Sequence, residues 1–198
     1  MKIKCVIFDM DGTLIEAPYD WNKIRSDLDT RGKPILAYIS ELDEPERSLK
    51  WEILEKYEHE ATLNATIKEG IPELMDFLEK SGILRFLVTN NSKKNVSFLL
   101  DKFNLEFEYV LTREIGLWKP SGAPFLAALR AFNIAEEECC TVGDSEFDIK
   151  AGVDAGIPNI FILNPTGKNF ESTQAEMFVS IEDIQKKIES LVGEACLS

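Results

Sequence analysis

Asp9 and Asp11, in the string Asp9-Met10-Asp11-Gly12-Thr13-Leu14, are the residues whose types and spacing point most directly to chemistry. They follow an apolar run, Lys4 to Phe8, that reads as a buried strand. Residues two apart in extended backbone point the same way, so both carboxylates can face one site. In open α/β sheets that site lies just outside the carboxyl ends of the strands. Gly12 permits an abrupt turn that a side chain would obstruct. Two close carboxylates repel, and a divalent cation that prefers oxygen ligands relieves the repulsion. An Asp-x-Asp pair alone reads equally well as an acidic turn with an aspartate capping the next helix. The full six-residue string is far more specific.

Three other places repeat the theme of polar residues just after a strand. Val142-Gly143-Asp144-Ser145-Glu146-Phe147-Asp148 carries two more acids. If a helix starts after Ser145, Asp144 and Asp148 can face one cleft; the competing reading is N-terminal helix capping by Asp144 or Ser145. Thr89-Asn90-Asn91-Ser92 offers a hydroxyl and backbone N–H groups at a strand-to-helix turn. Such a turn cradles an anion or caps a helix with the same groups. Lys119-Pro120 precedes a helical pattern. Its lysine either neutralises phosphate and carboxylate oxygens or is simply a solvated surface cation.

The elements that must position these residues alternate. Apolar runs predict strands at Lys4 to Phe8, Leu84 to Val88, Phe107 to Leu111, Cys139 to Val142 and Asn159 to Leu163. Between them, Ile71, Leu74, Met75 and Leu78 recur at helical spacing. So do Val96, Leu99, Leu100 and Phe103, and then Phe125, Ala128, Leu129 and Phe132. A last helix starts at a Ser180/Asp183 capping arrangement, buries Ile181, Ile184, Ile188 and Leu191, and is expected to end at Gly193. Strands alternating with helices predict an α/β fold, a Rossmann-like parallel sheet with helices on both faces. Residues 16–68 break the alternation, with no convincing strand. Trp21, Ile24 and Leu28 share one helical face, Pro34 opens a helix through Ile35, Ile39 and Leu42, and Leu54, Tyr57 and Ala61 mark a third. The expected organisation is a core of residues 1–15 and 69–198 with a small all-α insert at 16–68.

Composition removes several function classes. The formal net charge is -13, and Lys and Arg are scattered, so no basic footprint for nucleic acid is present. An acidic surface also repels anionic lipid. No stretch reads as a signal peptide or membrane span. An anionic substrate then requires local cations, for which a metal ion and one lysine suffice. Cys5, Cys139, Cys140 and Cys196 lack metal-site spacing and read as reduced thiols of a cytoplasmic protein. The single histidine, His59, lies in a charged helical stretch, which leaves no multi-histidine zinc site to build.

Asp9-Met10-Asp11-Gly12-Thr13-Leu14, Thr89-Asn90, Lys119-Pro120 and Gly143-Asp144-Ser145 with Asp148, in that order, resemble the haloacid dehalogenase superfamily. The similarity continues through Ile149-Lys150-Ala151-Gly152 and Ala155-Gly156-Ile157 and covers the whole α/β unit. The helical insert resembles the family's small cap, as in its phosphatase branch of phosphoglycolate phosphatase-like enzymes. Around Lys119 the similarity is looser, because Ser121-Gly122-Ala123 separates Lys-Pro from Pro124.

The resemblance implies roles residue by residue. Asp9 is the expected nucleophile that forms an aspartyl-phosphate. Asp11 is the expected acid and base. Thr89 and the Asn90 N–H hold phosphoryl oxygens, and Lys119 offsets the charge. Asp9, the Asp11 carbonyl and Asp144 bind Mg²⁺, with Asp148 assisting. The expected activity is hydrolysis of a small phosphorylated metabolite, and Asp11 favours phosphate over halide chemistry. Substrate selectivity is expected in the insert, where Trp21, Arg25, Arg47, Lys50 and Trp51 are candidates. Each also reads as core packing or surface charge. A phosphosugar mutase of the same superfamily is the alternative enzyme. A phospho-accepting receiver domain and a non-catalytic binding module are the alternatives of another class. Neither the substrate nor the choice between monomer and homodimer is legible.

Overall fold

The computed structural model describes residues 3–194. Its central strand is β1 (Cys5–Phe8), in which all four side chains are buried. A strand covered on both faces has no use for polar alternation, so its sequence reads as a continuous apolar run. The chain then forms β2 (Ile15–Glu16), α1 (Trp21–Leu28), α2 (Ile35–Ser40), α3 (Glu46–Leu63) and β3 (Thr66–Ile67). Next come α4 (Ile71–Lys80), β4 (Leu84–Val88), α5 (Lys93–Phe103), β5 (Tyr109–Leu111), α6 (Ala123–Ala131) and β6 (Cys139–Gly143). The last elements are α7 (Glu146–Asp154), β7 (Asn159–Leu163), β8 (Glu176–Phe178) and α8 (Ile181–Glu194).

Six strands form one parallel sheet in the order β5-β4-β1-β6-β7-β8. The strand order runs outward from β1 in both directions, which opens a crevice at the carboxyl edge where the order reverses. The register sets that edge. Phe8 lies opposite Leu87 of β4 on one side and Val142 of β6 on the other. Asp9, Thr89 and Asp144 therefore leave three adjacent strands at the same edge.

Side chains alternate across the sheet. Val6 and Phe8 pack with Leu74, Leu78, Val96, Leu99, Ile184 and Ile188, on the face covered by α4, α5 and α8. Cys5 and Ile7 pack with Phe125, Ala128, Leu129 and Ala151, on the face covered by α6 and α7. Each fully buried aliphatic side chain contributes about 1.5–3 kcal/mol to this sandwich. The three helices between β2 and β3 bury a separate cluster of Ile24, Leu28, Leu36, Tyr38, Ile39 and Leu54, against which Trp118 packs.

The expected α/β architecture is present, with local corrections. The stretch read as free of strands contains β2 and β3, which pair antiparallel through Ile15–Ile67 and Glu16–Thr66. Two-residue strands are too short to leave a periodic signal. The helix expected to stop at Gly193 runs to Glu194, because a glycine in a last turn weakens a helix without obliging it to stop. The third strand starts at Tyr109 rather than Phe107. The edge strand β8 was not expected; of its side chains only Phe178 is part-buried. Pro124 sits in the first turn of α6, where a missing N–H costs nothing. Cys5, Cys139 and Cys140 are buried free thiols; Cys196 lies outside the described residues. His59 is exposed on α3. Among the described residues no helix is long and apolar enough to cross a membrane.

Candidate active site

Lys119 is the centre of the arrangement at the sheet edge. Its Nζ lies 2.6 Å from Asp9 Oδ1 and 2.6 Å from Asp148 Oδ1, and its side chain is 3% exposed. Asn90 fixes the lysine from the backbone. The Asn90 amide donates to the Lys119 carbonyl at 2.9 Å, and its Oδ1 accepts from the Lys119 N–H at 2.9 Å. Two hydrogen bonds to one residue define both its position and its direction. The structure thus gives the Asn90 side chain a positioning task that the sequence did not suggest.

Asp148 is held equally firmly. Ser145 caps α7 by accepting from the Asp148 N–H, while Asp148 Oδ2 accepts from the Ser145 N–H at 3.1 Å, the Asp144 N–H at 3.2 Å and the Ser145 hydroxyl at 2.5 Å. The capping reading and the shared-cleft reading are therefore both realised, on different atoms. Two glycines make room. Gly12 has φ +84°, and a Cβ there would lie 2.2 Å from Asp144 Oδ2; a Cβ on Gly143 would lie 2.4 Å from Asp148 Cβ and Cγ. Any larger residue at either position would displace an aspartate.

One carboxylate oxygen each from Asp9, Asp144 and Asp148 lies within 4.8 Å of the others. Asp9 and Asp148 share the ammonium of Lys119, and Asp144 adds a third carboxylate to the cluster, on which Lys168, Lys119 and Lys68 act from farther away. Burial pushes the Asp9 carboxyl well above the ordinary range; Lys119 opposes this, and Asp148, Asp144 and Asp11 add to it. Burial, with the charge of Asp148, pushes Asp144 up to about 6. Burial alone would lower the Lys119 ammonium, but Asp148 and Asp9 outweigh it and hold it above the ordinary lysine value. The group demands a further cation, and its all-oxygen donor set suits a hard divalent metal ion. Both Asp148 oxygens already have partners, so its share in holding such an ion is smaller than that of Asp9 and Asp144.

Asp11 stands apart from that cluster. Its Oδ2 accepts from the Asn91 amide at 2.9 Å, and the same amide donates to the Tyr19 hydroxyl oxygen at 3.2 Å. Asp11 Oδ1 is buried without a partner. Burial raises the Asp11 carboxyl, while Asn91 and Tyr19, then Lys119 and Arg113, hold it partly down. A carboxyl kept above its ordinary range suits proton donation near neutral pH. Thr89 is buried, and its Oγ1 accepts from the Asn91 N–H at 3.1 Å. None of the described hydrogen bonds uses its hydroxyl hydrogen, which is available to an oxyanion.

Sequence reasoning missed Asn91, Tyr19, Glu58 and Arg113. Asn91 reaches Asp11 across 80 residues of chain and the Tyr19 hydroxyl across 72, and neither residue carries a local signal. Arg113 Nη1 lies 2.5 Å from Glu58 Oε1 in an ion pair whose side chains are 5% and 6% exposed. A signal existed for Glu58, because Leu54, Glu58 and Ala61 share the buried stripe of α3. A glutamate on an apolar face requires a buried partner.

The five selectivity candidates separate. The Trp51 ring covers the Arg113 guanidinium at 4.9 Å, and Trp21 stacks on Tyr19 at 4.5 Å. Trp21 thus touches the residue that shares the Asn91 amide with Asp11, and Trp51 touches a buried cation whose charge acts on Asp11. Arg47 pairs instead with Glu44 at 3.0 Å. Among the described residues, no hydrogen bond or ion pair joins Arg25, Arg47 or Lys50 to the site carboxylates.

A Rossmann-like parallel sheet with an acidic cluster and a buried lysine at its carboxyl edge is the scaffold on which the site is built. The chain belongs to the haloacid dehalogenase-like hydrolases, whose sequence profile matches residues 3–156. It is 31% identical over 196 residues to an uncharacterised hydrolase of Saccharomyces cerevisiae, covering 94% of this chain and 90% of that protein. It is 28% identical to the N-acetylmuramic acid 6-phosphate phosphatase of Pseudomonas aeruginosa, covering 79% of this chain and 80% of that protein. In three dimensions it is similar to a predicted phosphoglycolate phosphatase from Haemophilus somnus. There the TM-score is 0.73, with 23% identity, 94% of this chain and 98% of that chain covered. Within the family the chain is an enzyme, a hydrolase, and relatives named as phosphatases are among those it is similar to.

Proposed function

We propose that this chain is a magnesium-dependent phosphatase. In this reading it hydrolyses a small phosphorylated metabolite, a phosphate monoester, through an aspartyl-phosphate on Asp9. The observation that carries the proposal is the Lys119 bridge between Asp9 and Asp148, 2.6 Å to each, at the mouth of an acidic cluster. A structural ion pair has no need of a third carboxylate beside a lysine that already bridges two. A nucleophilic carboxylate beside a cation that accepts developing negative charge does.

In the first step Asp9 attacks phosphorus, the bond from phosphorus to the leaving oxygen breaks, and Asp11 donates its proton to that oxygen. In the second step Asp11, now a carboxylate, takes a proton from water. The water oxygen attacks phosphorus, and Asp9 leaves as a carboxylate with inorganic phosphate. Thr89 and the Asn90 N–H hold the phosphoryl oxygens, and Lys119 offsets their charge. Asp9, Asp144 and the Asp11 carbonyl would hold Mg²⁺, with Asp148 assisting chiefly by orienting Lys119. When bound, the ion supplies charge neutralisation at the phosphoryl oxygens and alignment of the nucleophile.

We take residues 16–68 as a cap over a core of 1–15 and 69–198, with selectivity residing where the two meet. The reduced buried thiols suit a cytoplasmic enzyme, and the acidic surface suits neither nucleic acid nor an anionic membrane.

The test is Mg²⁺-dependent hydrolysis of a panel of phosphate monoesters, with a chelator control and no bisphosphate activator present. Turnover that requires Mg²⁺ supports the proposal. Turnover that requires a bisphosphate and yields an isomer rather than phosphate favours the mutase. Activity unaffected by the chelator removes the metal role.

A further inference from the structure

We propose that Glu58 and Arg113 form the leaving-group subsite, and that it selects a neutral hydroxylated alcohol, such as a polyol or sugar, over one carrying a carboxylate. The inference rests on the phosphatase reading above and concerns the neighbours of Asp11 on the helical insert and after β5.

The pair joins α3 to the turn that follows β5, so it spans the two units that meet over the site. Glu58 is 4% and Arg113 6% exposed. Each side chain leaves one terminal atom unused. Arg113 Nη1 donates to Glu58 Oε1, while Arg113 Nη2 and Glu58 Oε2 are buried without partners. Asp11 Oδ1 is in the same condition. Buried polar atoms without partners are rare and costly, and each calls for an explanation.

The three atoms belong to one connected set. The Arg113 N–H donates to the Asn91 carbonyl at 3.3 Å, and the Asn91 amide donates to Asp11 at 2.9 Å. The charges of Arg113 and Glu58 both act on the Asp11 neighbourhood. The Trp51 ring, its centroid 4.9 Å from the guanidinium carbon, covers the cation on one side. A ligand beside Asp11 and the ion pair, carrying more than one hydroxyl, would give these atoms partners.

The chemistry of that ligand follows from the atoms left over. Nη2 offers an N–H donor, Oε2 and Oδ1 offer acceptors, and Glu58 already neutralises Arg113. A hydroxyl both accepts and donates, so it satisfies an N–H and a carboxylate oxygen together. A carboxylate only accepts. It would meet one donor and the like charge of the Glu58 carboxylate, which is how sites reject unwanted partners.

The experiment compares two esters that differ at one carbon, glycerol phosphate and phosphoglycerate, with p-nitrophenyl phosphate as a separate measure of hydrolysis. It is run with Mg²⁺ at about pH 8, above the Glu58 carboxyl, which burial pushes up to about 7. The expected kcat/KM ratio, glycerol phosphate over phosphoglycerate, is on the order of tenfold or more in the unmodified protein. Glu58→Gln removes the like charge and lowers the ratio by on the order of tenfold. A ratio at or below one, or turnover of p-nitrophenyl phosphate alone, overturns the subsite. So does a Glu58→Gln protein in which both esters slow equally, since that is the behaviour of a mere cap–core latch. If Glu58→Gln does not fold, the ratio in the unmodified protein decides. Absence of p-nitrophenyl phosphate hydrolysis with Mg²⁺ is a distinct result, and it defeats the phosphatase reading itself.

Discussion

Replacing Asp144 by asparagine should make the metal-free protein more stable while making the enzyme worse. Burial and the neighbouring Asp148 charge push the Asp144 carboxyl from its ordinary 3.8 up to about 6. The folded state therefore holds this proton more tightly than the unfolded state does. Stability falls as pH rises from the unfolded value through the folded one, and the loss is complete above it. At ~1.36 kcal/mol per pH unit, the ionised carboxylate costs about 3 kcal/mol at pH 8 and about half of that at pH 5. None of the described hydrogen bonds is accepted by the Asp144 carboxylate, so asparagine forfeits none. Urea unfolding in the presence of a chelator is the assay, read as a midpoint shift at constant slope. Asp144→Asn should gain about 3 kcal/mol near pH 8 and clearly less near pH 5. Added Mg²⁺ should stabilise the unmodified protein and have little effect on the variant, because a ligand stabilises only the state that binds it. A variant that is less stable at pH 8, or that gains equally at both pH values, would refute this electrostatic reasoning.

Other outcomes follow from the same geometry. Asp11→Asn should lower kcat/KM on alkyl phosphates by about 10²–10⁴, with a much smaller loss on p-nitrophenyl phosphate, whose leaving group needs no proton; equal losses on both would remove Asp11 from the acid role. Lys119→Met should lower kcat by on the order of 10²–10³ while Mg²⁺ binding, measured by calorimetry, persists; unchanged kcat would contradict the role given to the bridge. Tyr19→Phe removes one of the groups that hold the Asp11 carboxyl down, so the basic limb of the pH–rate profile should move to higher pH, and movement in the opposite direction would contradict the assignment.

The sequence displayed what is local and concealed what is assembled. Asp9, Thr89 and Asp144 were legible because each directly follows a buried apolar run, and strand ends are where parallel sheets gather ligands. The parallel sheet itself was legible from alternating periods, since β1, β4, β6 and β7 are buried enough to read as continuous apolar runs. The strands β2, β3 and β8 were not, because two or three residues carry no period. Tyr19 and Asn91 were invisible as a pair, since their contact is set by how the chain returns from β2 to the sheet edge. Glu58 was visible in principle, as a glutamate on the buried stripe of α3, but its partner Arg113 lies 55 residues away. Arg47, which reads in sequence either as a substrate-binding cation or as surface charge, pairs with Glu44 three residues earlier.

The central claim is that Asp9 is the atom donor to phosphorus, and trapping tests it most directly. Acid quenching of the enzyme during turnover of a monoester with Mg²⁺, followed by peptide mass analysis, should find one phosphoryl group on the peptide containing Asp9. The same experiment on Asp9→Asn should find none, with turnover abolished. Phosphate-ester hydrolysis that survives Asp9→Asn, or a phosphoryl group trapped on any other residue, would contradict the account.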